Sequence, residues 1–308
     1  DIRDDAFASG IRITVEACKQ VLASGKKKLL QARNKRVRPS TDDKAITSWN
    51  ALMLIGYLDA YRATADKGYL DEALKSATFL QKHMHRKDGS LWRSYSRGKG
   101  GIHAFLDDYA LLARAYINLY QVTLEKRWLD QARFLADYAI KHFRDETTGM
   151  FYYTSGGAED LVVRMMETSD QVIPSSNSVM SEVLLLLGDY YQDTTFSSQS
   201  RMMLNRVSVE RPDQSEAFYT NWARVSALVA WQPFEVAVMG NGALEKSLEI
   251  QRVYNPLAIF SGGVREDLPL LEHKLVHGKT MIYVCRNRIC KMPVENVGEA
   301  LRQLSADL

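Results

Sequence analysis

Shifted by 59 residues, the sequence falls on itself. Ala51 meets Ala110, Leu52 meets Leu111, Tyr57 meets Tyr116, Tyr61 meets Tyr120 and Thr64 meets Thr123. Farther on, Tyr69 meets Trp128, Leu70-Asp71 meets Leu129-Asp130, Ala73 meets Ala132 and His83 meets His142. The first part of the unit, ALMLIGYLDAYRAT (51–64), is apolar nearly all round, as expected of a helix buried between neighbours. The second part carries Leu70, Ala73, Leu74, Ala77, Leu80 and Met84 on one stripe, the period of an amphipathic outer helix. Both linkers, DGSLWRSY (88–95) and TGMFYYTS (148–155), read as a turn followed by an aromatic strand. A third, degraded copy opens at SSNSVMSEVLLLLGDYY (175–191). Hairpins recurring about every 60 residues stack to share one core, because no single unit buries its own apolar face. The expected class is therefore mainly α, a partial toroid of helical hairpins.

The helical texture begins early, with IRITVEACKQVLASGKKKLLQARNK (11–35), and an interruption is expected near Ser24-Gly25. It ends at Trp231. Beyond it, PFEVAVMG (233–240) and PLAIFSGG (256–263) are short apolar runs ending in glycine, the pattern of buried strands. TMIYVCRNRICKMP (280–293) reads as a hairpin turning at Asn287-Arg288, and VENVGEALRQL closes the chain as a helix. Two domains follow: a helical-hairpin domain over 1–232 and a small α/β module over 233–308. The glycines of MGNGAL (239–244) match no phosphate-binding fingerprint and read as a turn.

Composition narrows the function classes. A net charge of +3 over 308 residues does not call for nucleic acid or a membrane surface as partner. The one basic run, KKKLLQARNKRVR (26–38), reads first as a solvated helical face and second as a polyanion contact. No stretch approaches the roughly 20 apolar residues that span a bilayer, and no signal-peptide pattern opens the chain. Three cysteines are too few for a disulfide scaffold, so a reducing, cytoplasmic setting is the default expectation. Nothing in the pattern asks for a metal or another cofactor.

Polar residues gather where the inner helices are expected to start, near Thr47, Phe105 and Ser175. Asp42, Asp43, Lys44, Trp49 and Asn50 mark the first start, and His103, Asp107, Asp108 and Tyr109 the second. Asp170, Ser175, Ser176 and Asn177 mark the third. In a ring of hairpins the inner helices run the same way, so these starts share a rim and acids from three repeats could meet round one cavity. Paired carboxylates of unlike protonation are the equipment of glycosidic bond cleavage. That makes Asp42, Asp43, Asp107, Asp108 and His103 candidate catalytic residues. Lys44, Trp49, Asn50, Tyr109, Asp170, Ser175 and Asn177 are then candidate substrate contacts. The same residue types also cap helices and complement their dipoles, and the sequence leaves both roles open.

With a two-residue turn at 287–288, Cys285 faces Cys290 in the non-hydrogen-bonded register, where opposed Cα atoms lie about 4.5 Å apart. A disulfide fits that spacing. The C-x4-C pattern is neither a zinc site nor a thioredoxin-like C-x-x-C, so the pair is read as structural, with a redox role as the alternative.

Four motifs carry a resemblance: RPSTDDKAITSWNALM (38–53), FLDDYALL (105–112), VIPSSNSV (172–179) and YVCRNRICKMP (283–293). In this order, and over a match from about residue 29 to the end, they resemble the thioredoxin-domain family that includes the spermatogenesis-associated protein 20 type (the DUF255 family). The resemblance implies an N-terminal thioredoxin-like domain followed by an (α/α)6 toroid related to six-hairpin glycosidases and N-acylglucosamine 2-epimerases. The terminal α/β piece and the C-x4-C pair belong to the same family pattern. This chain has no C-x-x-C and about three recognisable hairpins. It is therefore expected to be the C-terminal part of a longer protein, its ring completed by upstream hairpins or by another chain. The leading functional expectation is a carbohydrate-active or carbohydrate-binding toroid of glycosidase or epimerase type. The alternatives are a non-enzymatic scaffold that presents clients to a thioredoxin-like domain, and a redox role through Cys285 and Cys290.

Overall fold

In a computed structural model the repeat reappears residue for residue. It describes residues 4–156, 163–210 and 216–305. Helix α3 runs Thr47–Thr64 and α5 runs Leu106–Thr123, so both ends are offset by the same 59 residues. Their partners α4 (Lys67–His83) and α6 (Lys126–Phe143) start with that offset too. Each inner helix stops the same way. Ala65 and Leu124 take left-handed φ values of 58° and 57°, and Thr64 and Thr123 bond back to the carbonyls of Ala60 and Leu119. The third hairpin is α7 (Ser176–Tyr191) and α8 (Thr194–Glu210), turned at Gln192 with φ 51°. A fourth inner helix, α9 (Thr220–Trp231), packs beside α7.

Residues Asp1–Asp43 form one compact unit and Lys44–Leu308 another. The smaller holds α1 (Asp4–Gly10) and α2 (Val15–Asn34). Here the expected interruption at Ser24-Gly25 is corrected: α2 passes through both residues without a break. An interior glycine costs a helix only about 1 kcal/mol, which nineteen other residues absorb. The real break falls earlier, at Arg12 with φ 57°, and Thr14 caps α2 by accepting the Ala17 N–H.

A second correction concerns which helix is enclosed. α5, between α3, α6 and α7, is buried except at Arg114, Asn118 and Thr123, which are half-buried. α3 is not: it buries Ala51, Leu54, Leu58 and Tyr61, while Trp49 is 61% and Met53 57% exposed. Nearly uniform apolarity made the two helices look alike. Burial also depends on how many neighbours flank a helix, which its own residues do not encode.

The linkers are less regular than the helices. The first forms β2 (Ser94–Ser96), which pairs antiparallel with β1 (Ala45–Ile46) and with β3 (Lys99–Gly100). The second contributes an isolated bridge, Arg144 to Phe151.

After Trp231 the chain builds a four-stranded sheet in the order β5-β4-β6-β7. β4 (Phe234–Met239) and β5 (Ala258–Gly263) are parallel, joined through α10 (Ala243–Gln251), a helix the glycine-centred reading of MGNGAL did not anticipate. β6 (Met281–Arg286) is antiparallel to β4 and turns into β7 (Ile289–Cys290), after which α11 (Val297–Ser305) follows. The sheet works by its period of two. Val236, Val238, Ile282 and Val284 face a core shared with α10 and α11. Ala237, Met239, Tyr283 and Cys285 face the opposite way, into the core of the helical ring. Both faces are thereby covered, and the module is bonded to the inner helices. Gln251 donates to the Gln121 carbonyl at 2.9 Å, the Phe260 N–H donates to the Gln121 side chain at 3.2 Å, and Tyr190 donates to the Phe260 carbonyl at 3.1 Å.

Candidate functional site

At the start of α3 the N-cap is Ile46, which has no side-chain acceptor to offer. The acceptor comes from the next repeat. Asp108, fully buried, takes the Ser48 N–H at 2.9 Å and, across its own helix start, the Phe105 N–H at 3.0 Å. One carboxylate thus serves two helix termini that would otherwise bury unsatisfied donors. Arg93 completes the group, its Nη1 lying 2.9 Å from Asp107 and 3.0 Å from Asp108. Burial, and next the charge of Asp107, pushes the Asp108 carboxyl up against the pull of Arg93 and the two N–H groups. Arg93 would be lowered by its own burial, but Asp108 and Asp107 raise it.

The third start repeats the device. Asp170 accepts the Ser175 N–H of α7 at 2.8 Å and the Asn221 N–H of α9 at 2.9 Å. Ser175 is the N-cap of α7, accepting from the Ser178 N–H. Asn177, buried, accepts the Phe151 N–H and donates to the carbonyls of Phe151 and Glu167, pinning the second linker. The inner-helix starts are therefore linked in pairs, α3 to α5 through Asp108 and α7 to α9 through Asp170.

Asp42 and Asp43 are exposed and end the smaller unit, and Lys44 is exposed where the larger begins. Asn50 bonds back to the Ile46 carbonyl. His103 is exposed, takes a hydrogen bond from Arg86 at 2.7 Å and lies against Trp92. Tyr109 is buried, stacks on Tyr138 and accepts the Leu91 N–H at 2.9 Å. The structure brings Asp107 and Asp108 together on one guanidinium and gives Asp170 different partners. Cys285 and Cys290 are joined in a disulfide across a turn in which Asn287 and Arg288 both have positive φ, the geometry a tight two-residue hairpin requires.

A cleft of about 410 Å³ lies elsewhere, between the C-terminal halves of α3 and α5, the first turns of α9 and the segment after α10. Asp59, Arg62, Arg114, Asn118, Arg224 and Arg252 are among its lining residues. Arg62 is tied down on several sides: Nη1 to Asp59 at 2.8 Å and to Asn118 at 3.0 Å, Nε to Gln251 at 3.0 Å. Behind the cleft sits Glu182 of α7, 1% exposed, 2.9 Å from Arg224 and 3.4 Å from Arg114. Burial alone would raise its carboxyl; Arg114 and then Arg224 hold it below the usual range.

None of these residues was singled out from the sequence, although a signal was there. Arg114 in LLARAYINLY and Glu182 in SVMSEVLLLL are single charges inside apolar inner helices. A charge in such a place has to find a partner or a ligand.

Comparison with known proteins agrees with this architecture. No family model matches the chain. It is 28% identical over 332 residues to spermatogenesis-associated protein 20 of Rattus norvegicus, covering 98% of this chain and 41% of that protein. The Homo sapiens protein of the same name is 29% identical, with 96% and 40% covered. An uncharacterized Caenorhabditis elegans protein is also 29% identical, with 97% and 43% covered. The chain thus spans about two fifths of the length of these relatives. Among solved structures, a GH76 α-mannanase of Bacteroides thetaiotaomicron superposes with a TM-score of 0.52 at 14% identity, covering 69% of this chain and 59% of that one. The fold is a partial toroid of helical hairpins of the six-hairpin glycosidase-like class. A cellobiose 2-epimerase of Bacillus thermoamylovorans gives a TM-score of 0.48 at 16% identity, covering 58% and 48%. Among the described residues, no helix is long and apolar enough to cross a membrane.

Proposed function

We propose that this chain is a carbohydrate-binding toroid whose ligand occupies the arginine-lined cleft between α3, α5, α9 and the segment after α10. The cleft itself carries the proposal. Its volume of about 410 Å³ falls in the range of small-molecule sites, and amides and guanidiniums line it inside a toroid that an α-mannanase shares. Asn118 and Asn255 offer hydrogen bonds to hydroxyls. Tyr254, 88% exposed at the edge of the cleft, offers a ring face to a sugar.

A second reading keeps the chemistry at the rim. Asp107 and Asp108 share Arg93, and the Asp108 carboxyl is pushed up, the direction a general acid on glycosides needs. It requires substrate to reach two carboxylates that are now buried.

One experiment separates the two. Monosaccharides and disaccharides are titrated calorimetrically against the wild-type chain, Tyr254→Ala and Asp107→Asn. The cleft reading expects Tyr254→Ala to weaken binding about three- to tenfold with an unchanged melting temperature, as lost ring contact does, and Asp107→Asn to bind normally. Binding lost in Asp107→Asn but kept in Tyr254→Ala moves the site to the rim. No binding by the wild type removes the carbohydrate reading.

A further inference from the structure

The charge of the cleft narrows what would enter it. Four guanidiniums, from Arg62, Arg114, Arg224 and Arg252, line it against a single lining carboxylate, Asp59, itself largely exposed. Glu182 adds one charge from behind, and that charge is divided between Arg114 and Arg224. A net positive excess therefore remains round a concave, partly desolvated space. Like charges held in such a space repel one another unless an anion comes between them.

The arginines are also unequally committed. Arg62 has Asp59, Asn118 and Gln251 on its nitrogens and is a fixed wall. Arg114 has a buried Nε without a hydrogen-bond partner. Arg224 gives its Nε to Glu182 and is 43% exposed, and Arg252 is exposed. The planar guanidinium binds carboxylate and phosphate oxygens in pairs, which a hydroxyl group cannot match.

Resting on the carbohydrate reading above, we propose that the ligand of this cleft is a monosaccharide-sized sugar bearing an oxyanion, a carboxylate or a phosphate. Arg224 and Arg114 receive the oxyanion, and Arg252 closes over it. Asn118, Asn255 and Tyr254 take the rest of the ring. Glu182 holds Arg114 and Arg224 in place from beneath without touching the ligand.

The test is calorimetric titration of the whole chain with glucose, glucuronate, glucose 6-phosphate and inorganic phosphate, repeated on Arg224→Met and Arg224→Lys. We expect glucuronate or glucose 6-phosphate to bind at least tenfold more tightly than glucose, and the preferred arm identifies the acid group. Arg224→Met should erase that preference. Arg224→Lys preserves a charge beside Glu182 if methionine costs the fold, and it should still weaken the acidic sugar at least threefold, because an ammonium has no fork. Equal binding of glucose and the acidic sugars overturns the oxyanion and leaves the carbohydrate reading standing. Binding of inorganic phosphate that Arg224→Met abolishes, with no sugar bound, overturns the carbohydrate reading and supports the oxyanion site. Acidic sugars bound by both variants as tightly as by the wild type overturn the assignment to Arg224.

Discussion

At the scale of single residues, this molecule is organised by buried charges and their uneven compensation. Glu182 has two arginines and is held ionised; Asp189 is the opposite case. Burial, and then the nearby Glu235, pushes the Asp189 carboxyl up to about 7, and its Oδ2 is buried without a hydrogen bond. A carboxyl whose value in the folded state lies above its ordinary 3.8 binds more protons folded than unfolded. Its protonated form is thus no burden below pH 3.8, and stability is lost as pH rises from there through about 7. Asp189→Asn is expected to stabilise the chain by about 2 kcal/mol at pH 8 and to make little difference at pH 4. Urea unfolding at the two pH values measures this. A variant less stable than wild type at pH 8 would show that Asp189 has a structural partner.

At the scale of elements, two inner helices, α3 and α9, take a carboxylate cap from outside their own sequence. The polar crowd before α3 left capping and chemistry both open, and the acceptor of the Ser48 N–H is Asp108. Polar residues gather at these three starts because the buried N–H groups of a helix start need acceptors, which come from the adjoining segment, as Ser175 does, or from the next repeat, as Asp108 does. Sequence reading could not tell a cap from a catalytic group, because both roles use the same carboxylate and differ only in what the oxygens face. Asp108→Ala would leave the Ser48 and Phe105 N–H groups and Arg93 short of an acceptor. The expected loss is roughly 3 kcal/mol, from two buried donors and a broken ion pair. Chemical denaturation checks the size, and a loss below about 0.5 kcal/mol would mean that water replaces the carboxylate at both termini. The terminal hairpin was more legible than any of these starts. C-x4-C across Asn-Arg specifies register by itself, and Cys285 opposes Cys290 as read.

At the scale of the whole molecule, Glu182 is the point where α5, α7 and α9 are joined, through Arg114 and Arg224. Glu182→Gln would leave two neighbouring guanidiniums without the carboxylate between them. The expected destabilisation is about 3 kcal/mol, the typical cost of breaking a buried pair from one side. Its pH dependence runs opposite to that of Asp189. The folded value of Glu182 lies below 4.5, so its contribution is present above pH 4.5 and fades as pH falls through the lowered value. Wild type and Glu182→Gln should accordingly converge in stability toward acid. Curves that stay parallel down to pH 3 would show that the carboxylate is not the group that matters.

The hairpin repeat, the change of texture after Trp231, the strands and the cysteine hairpin could all be read along the chain. Periods of 3.6, 2 and 59 residues are local or translational properties, and a helix or strand inherits them directly. Only the tertiary structure decided which apolar helix is enclosed, which aspartates spend their oxygens on backbone N–H groups, and where four arginines leave a cleft. Those outcomes depend on side chains that lie far apart in sequence, such as Ser48 with Asp108, Arg62 with Gln251 and Arg224 with Glu182. A residue's type states the interactions it can make; the packing of the ring around it selects the one it does make.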